Sequence, residues 1–200
     1  MVEFERSVLE ALRQPLEKAA VTVARAHSTI TFPASTILIG AMHPCPCGSR
    51  GVPEQKCIRS PGRCIKYAGK IGGPLTDRID LHIEVPRLTP EDLVSSTPGE
   101  ASAAIREHLI KARELQNRWL GKNRVNAKMT PREIKAATVL DKECVQFMKV
   151  VSARLNLSAR VFDRILIVAR TLAGLAYANE PTVRKPHLGE AFQYRERTEI

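Results

Sequence analysis

Apolar and polar positions divide this 200-residue chain into a mixed first half and a helical second half. In residues 4–13, Phe4, Val8 and Leu12 recur at helical spacing, and Pro15 is expected to end or bend that helix. Residues 21–25 (VTVAR) and 29–32 (TITF) alternate around AHS and predict a β-hairpin. Residues 36–42 (TILIGAM) are apolar on both faces, the pattern of an interior strand in a covered parallel sheet. In residues 80–86 (DLHIEVP), Leu81, Ile83 and Val85 alternate with Asp80, His82 and Glu84, which predicts a second sheet strand. Between them, Gly48–Gly73 reads as a loop, rich in Gly, Pro, Cys, Lys and Arg.

After the second strand the period changes. Thr89-Pro90-Glu91-Asp92 predicts a short capped helix, and Ser95–Gly99 a linker. Residues 100–119 carry Ile105, Leu109, Ala112 and Trp119 as one helical face. Thr130-Pro131-Arg132-Glu133 is a capping box with proline at the first helical position. Cys144, Met148, Val151 and Leu155 share a face of the next helix. Ser158 is placed to cap a long helix with the stripe Val161, Ile165, Val168, Leu172 and Leu175, and Pro186 opens the last one. The expected fold is α/β plus all-α, with part of an α/β layer over 1–95 and a helical bundle over 100–200. Two sheet strands and a hairpin fall short of the roughly four to six strands of an ordinary sheet.

Composition narrows the class. At 44% hydrophobic and 26% charged residues the chain reads as soluble and globular. No apolar run nears the ~18 residues that span a bilayer, and Met1–Arg6 is no signal peptide, so a cytoplasmic protein without a membrane partner is expected. The net charge of +10 favours an anionic partner, nucleotide or nucleic acid, over a cationic one. Nine aromatic residues are too few for a base-stacking platform. Cys45, Cys47, Cys57 and Cys64 are four of the five cysteines and form CxC-x9-C-x6-C. Such a cluster outside an oxidising compartment points to a structural Zn2+ site of four soft ligands, with unligated surface thiols as the alternative. Cys144 sits on an apolar helix face and reads as core.

Five stretches carry a resemblance: EFERSVLEALRQPLE, AMHPCPCG, GPLTDRIDLHIEVP, LSARVFDRILIVARTLA and HLGEAFQYR. Together they resemble the magnesium-chelatase-like AAA+ ATPases, in the branch that includes bacterial competence proteins, over essentially the whole chain. The resemblance implies a partial AAA+ P-loop NTPase core, its late strands and hairpin, followed by a helical lid. No GxxxxGK[ST] occurs, so the phosphate-cradling loop and the acidic Walker B pair are expected upstream of residue 1. By the same resemblance Arg78 is the arginine finger and His43 stands where the family has a sensor asparagine. Arg160 and Arg164 fall in the second sensor region of the lid, with Arg170 a third candidate. The complete protein is then expected to hydrolyse ATP with Mg2+ in a homo-oligomeric, hexameric ring that acts on DNA. The alternative from the residues alone is a non-catalytic basic module, zinc-stabilised, that binds nucleic acid or supports assembly. There Arg78 would pair locally with Asp77 or Asp80, and the helix arginines would form a solvated basic face. Nothing in these residues suggests a pigment site for magnesium insertion.

Overall fold

The computed structural model describes residues 1–48, 60–71, 73–86, 88–94, 98–176 and 182–195. Contacts group the chain into two compact units, one on Met1–Ile79 and the other on Asp80–Glu196.

In the first unit the opening helix is split. Helix α1 (Arg6–Ala11) gives way at Leu12 to α2 (Arg13–Lys18). Pro15 has no N–H to donate, so it is tolerated in the first turn of α2, where that group would lack an intrahelical acceptor. The expected stripe is displaced: Phe4 and Val8 are exposed, and Leu9 is the residue that buries. Leu9 packs with Val2, Ile71 and Leu75 in a small core. The hairpin is present as β1 (Ala20–Arg25) and β2 (Ser28–Pro33), antiparallel, with Ala20 opposite Pro33 and Arg25 opposite Ser28. The Thr22 and Thr31 hydroxyls meet across it at 3.0 Å. Part of the stretch read as loop is helical: α3 (Pro61–Ala68) and α4 (Gly73–Thr76). Pro61 opens α3 at its first position, where a fixed φ suits the helix.

Residues 36–42 and 80–86 correct the expectation of two sheet strands. Among the described residues the one sheet is the hairpin, and neither segment joins a ladder. Ile37 and Ile39 are each 91% exposed. An apolar strand needs a hydrogen-bonded neighbour and a covering layer, and no described strand lies beside either segment.

The second unit is organised on α9 (Ala159–Ala176), whose Ile165, Ala169 and Ala173 are fully buried. The two alanines, four and eight residues on from Ile165, keep that face shallow, so neighbouring helices approach closely. Against it lie α6 (Ser102–Leu120), a 3-10 turn (Asn126–Lys128), α7 (Pro131–Ala137) and α10 (Lys185–Gln193). Helix α8 (Lys142–Leu155) adds Cys144 and Met148, and Phe147 meets Phe192 of α10 edge-to-face at 5.7 Å. Only the second half of α6 contributes to the core, through Ala112, Leu115 and Leu120. Ile105 and Leu109, expected inside, are exposed. The far ends of two other predicted stripes, Leu155 and Leu175, are exposed as well.

Helix starts follow local chemistry. Thr89 and Asp92 bond reciprocally at the start of α5 (Pro90–Val94). Asp141 Oδ1 accepts from Cys144 N at 2.7 Å, and Ser158 Oγ from Val161 N at 3.3 Å. At α7 the capping box is complete: Glu133 accepts from Thr130 N at 2.7 Å, while Glu133 N donates to Thr130 Oγ1. Glu133 also takes a forked ion pair from Arg124, one arm at 3.0 Å. The Arg124 bond first, then the two from Thr130, hold the Glu133 carboxyl down at about 2.

That depression fixes a pH dependence. A carboxyl lowered in the folded state contributes stability that is complete above its unfolded value, near 4.5, and is lost as the pH falls towards about 2. The urea stability of the chain relative to Glu133→Gln should therefore be greatest above that window and should converge with the variant's inside it. A difference that stays constant through the window contradicts the assignment.

Candidate functional site

Each site residue named by the sequence has a definite environment except Cys57, which lies outside the described residues. Arg78 follows α4, its N–H bonded to Leu75 O at 3.0 Å, so a helical turn rather than a strand positions it. Its guanidinium is 11% exposed and Nη2 donates to Glu17 Oε2 of α2 at 2.7 Å. This partner lies sixty-one positions away in the sequence.

His43 is exposed at the end of the apolar segment 36–42. With Met1, Val2, Ala41 and Tyr67 it lines a shallow cleft in the first unit. The chain turns immediately after it: Gly48 N donates to Cys45 O at 3.0 Å, and Gly48 has φ +73°, a conformation a side chain would strain. This turn brings Cys45 and Cys47 together, with their sulfurs 3.2 Å apart, and Cys45 is fully buried. Cys64 is buried on α3 one turn before Tyr67. Burial, and then the charges of Glu3 and Cys45, push the Tyr67 phenol up. Among the described residues no three Cys, His, Asp or Glu side chains are gathered as a metal cage. Two thiols in contact are half of a tetrahedral donor set.

In the second unit Arg160 is exposed on the first turn of α9. Arg164, one turn on, pairs with Asp80 at 3.0 Å and is largely covered. The structure therefore does not leave it on a solvated face. Asp80 belongs to the 80–86 segment, which is pinned where His82 N donates to Tyr194 O at 2.8 Å. Arg170, the third candidate, is buried with its guanidinium 4.3 Å over the Trp119 ring. Its Nε and Nη1 meet no acceptor among the described residues, and burial lowers its affinity for the proton. Arg170 is thus a buried residue stacked on Trp119. Sequence spacing could not show the pairs Glu17–Arg78, Asp80–Arg164 and Trp119–Arg170, because each joins separate elements. Cys144 is core as expected, with burial and then Asp141 pushing its thiol up to about 11.

Two family models match the chain. Residues 1–93 match the model described as magnesium chelatase, subunit ChlI, and residues 99–195 match that of its C-terminal region. The chain is 40% identical over 195 residues to competence protein ComM of Haemophilus influenzae, covering 96% of this chain and 37% of that protein. It is 36% identical to YifB of Salmonella typhimurium, again over 96% of this chain and 37% of the relative. Rv2897c of Mycobacterium tuberculosis is 33% identical over 183 residues, 90% of this chain and 36% of that one. The chain spans little more than a third of the length of these relatives.

The Arg170 environment makes a stability prediction. A cation over an aromatic ring contributes about 0.5–2 kcal/mol, and desolvating two N–H groups offsets much of that. Arg170→Met should therefore change the urea unfolding free energy by about 1 kcal/mol or less. A loss of about 3–5 kcal/mol would reveal a fully paired buried cation instead.

Proposed function

The chain belongs to the AAA+-type family of the magnesium chelatase ChlI subunit, and on that premise we propose that it is part of an ATP-driven motor supplying finger, sensors and lid. The observation that carries this reading is the ordered match of both family regions along one short chain. Segments 36–42 and 80–86 then supply strands to a sheet completed elsewhere in the whole protein, which accounts for their apolar pattern.

Four side chains serve the nucleotide in this reading. ATP with Mg2+ brings a reactive γ-phosphoryl group whose transfer spreads negative charge over its oxygens. Arg78 acts in trans on a neighbouring subunit of a homo-oligomeric, hexameric ring, with Glu17 keeping the guanidinium oriented until it is engaged. His43 donates or accepts one hydrogen bond at the end of its segment, in place of the family's asparagine. Arg160, already exposed, binds phosphate oxygens, and Arg164 joins it once released from Asp80. Zn2+ held by Cys45, Cys47, Cys57 and Cys64 ties down the loop between them. The substrate of the motor is DNA.

A second reading has one observation in its favour. Arg78 and Arg164 are both engaged by carboxylates, as expected of a non-catalytic, zinc-stabilised basic module that binds nucleic acid or supports assembly.

The two readings part at Arg78. In the assembled ATPase, Arg78→Ala should lower turnover by roughly 10³–10⁵-fold with nucleotide binding retained, while Glu17→Ala should spare turnover. Mixing Arg78→Ala subunits with subunits disabled in the phosphate-binding loop should restore part of the activity. Full turnover by the Arg78→Ala ring overturns the finger, and equal losses from both variants assign Arg78 to structure.

The metal is tested separately. Protein purified without chelator should carry about one zinc per chain, lost on Cys45→Ser or Cys57→Ser, because structural metal affinity is folding free energy. Clearly substoichiometric zinc would leave the cluster as thiols.

A further inference from the structure

The positive charge of this chain is confined to two places. Residues 117–140 hold six Lys and Arg against a single acid, Glu133, and residues 49–71 hold six against Glu54. Everywhere else nineteen basic and nineteen acidic residues cancel, so these two stretches account for the whole net charge of +10. Most of 49–71 lies outside the described residues. Residues 117–140 are described in full, from the last turn of α6 through the 3-10 turn to α7.

The structure sharpens the charge of that stretch. Arg118, Lys122, Arg132 and Lys135 are all exposed. The one carboxylate among them is spent, because Glu133 is clasped by Arg124 and by the Thr130 cap. The next acids along the chain are engaged too: Asp141 caps α8, and Glu143 pairs with Lys185 at 2.9 Å. What remains exposed in this stretch is a set of long cationic side chains with no carboxylate of its own stretch to answer them.

We propose that the surface formed by the end of α6, the 3-10 turn and α7 holds the sugar–phosphate backbone of nucleic acid, without reading bases. Several exposed cations on one connected stretch suit a polyanion with regularly spaced phosphates. Base stacking has little support, since Trp119 is the one aromatic of the stretch and Arg170 already occupies a face of its ring. The basic side chains alternate with Asn117, Gly121, Asn123 and Ala136 rather than with an aromatic rim, which disfavours an anionic membrane. The proposal deepens the motor reading and rests on it for the choice of nucleic acid. The charge distribution that locates the surface is independent of it.

The test uses the 200-residue chain, labelled duplex and single-stranded DNA of mixed sequence, and a series of salt concentrations. Replacing Arg118, Lys122, Arg132 and Lys135 together by Gln should lower affinity at least tenfold and flatten the log–log salt slope by about 3–4, since each duplex phosphate left without its cation removes roughly 0.9. Replacing Lys142, Lys149 and Arg154 on α8 by Gln should leave the slope much closer to that of the parent. All seven side chains are exposed, so both variants should melt with the parent, which separates binding from folding. Parent-like binding by the first variant overturns the surface and leaves the DNA reading standing. No binding of either DNA by the parent overturns that reading and the proposal with it. Binding of vesicles containing anionic lipid, but not DNA, through the same four residues transfers the surface to membranes.

Discussion

One helix face without solvent decides most of the second unit. Ile165, Ala169 and Ala173 of α9 are wholly buried, so α6, α7 and α10 are held at the distance that alanine allows. A buried Ile or Leu contributes roughly 1.5–3 kcal/mol, and among the described residues fourteen buried side chains of this unit form one cluster. The same helix carries Arg160 and Arg164 away from that face. Arg160 is exposed there, while Arg164 is held by Asp80.

The first unit lacks such a centre. Its described core is Val2, Leu9, Ile71 and Leu75, while Ile37 and Ile39 stand in solvent. Long apolar side chains in an extended, unladdered segment are a demand for a neighbour. The matched region is little more than a third of these relatives, which carry further sequence beside it. His43 lies at the end of one such segment, and Arg78 follows α4.

Local signals were legible in the sequence and long-range ones were not. The capping box at Thr130, the cap at Ser158, the hairpin and α9 are written within a few residues and recur in the structure. Residues 36–42 show the limit of a pattern: uninterrupted apolarity states the environment a segment needs, and it cannot say that the described chain provides one. Helix α3 was hidden by its Gly, Lys and Cys content, although Pro61 after Ser60 marked its start. For the candidate site the sequence could nominate Arg78, Arg160 and the cysteines, but it could not show what Arg78 pairs with in the fold. Glu17 reaches Arg78 only because α2 and α4 share a unit, and Arg170 turned inward because Trp119 lay at the end of α6.

Hydrogen–deuterium exchange on the 200-residue chain tests most directly whether α9 is packed throughout while segment 36–42 has no ladder. Amides of the α9 segment 165–173 should exchange only through global opening of their unit, and those of 36–42 at nearly the rate of an unprotected peptide. Protection of 36–42 as strong as that of α9 would mean that these residues already have their ladder, and the claim of an incomplete first unit would be wrong.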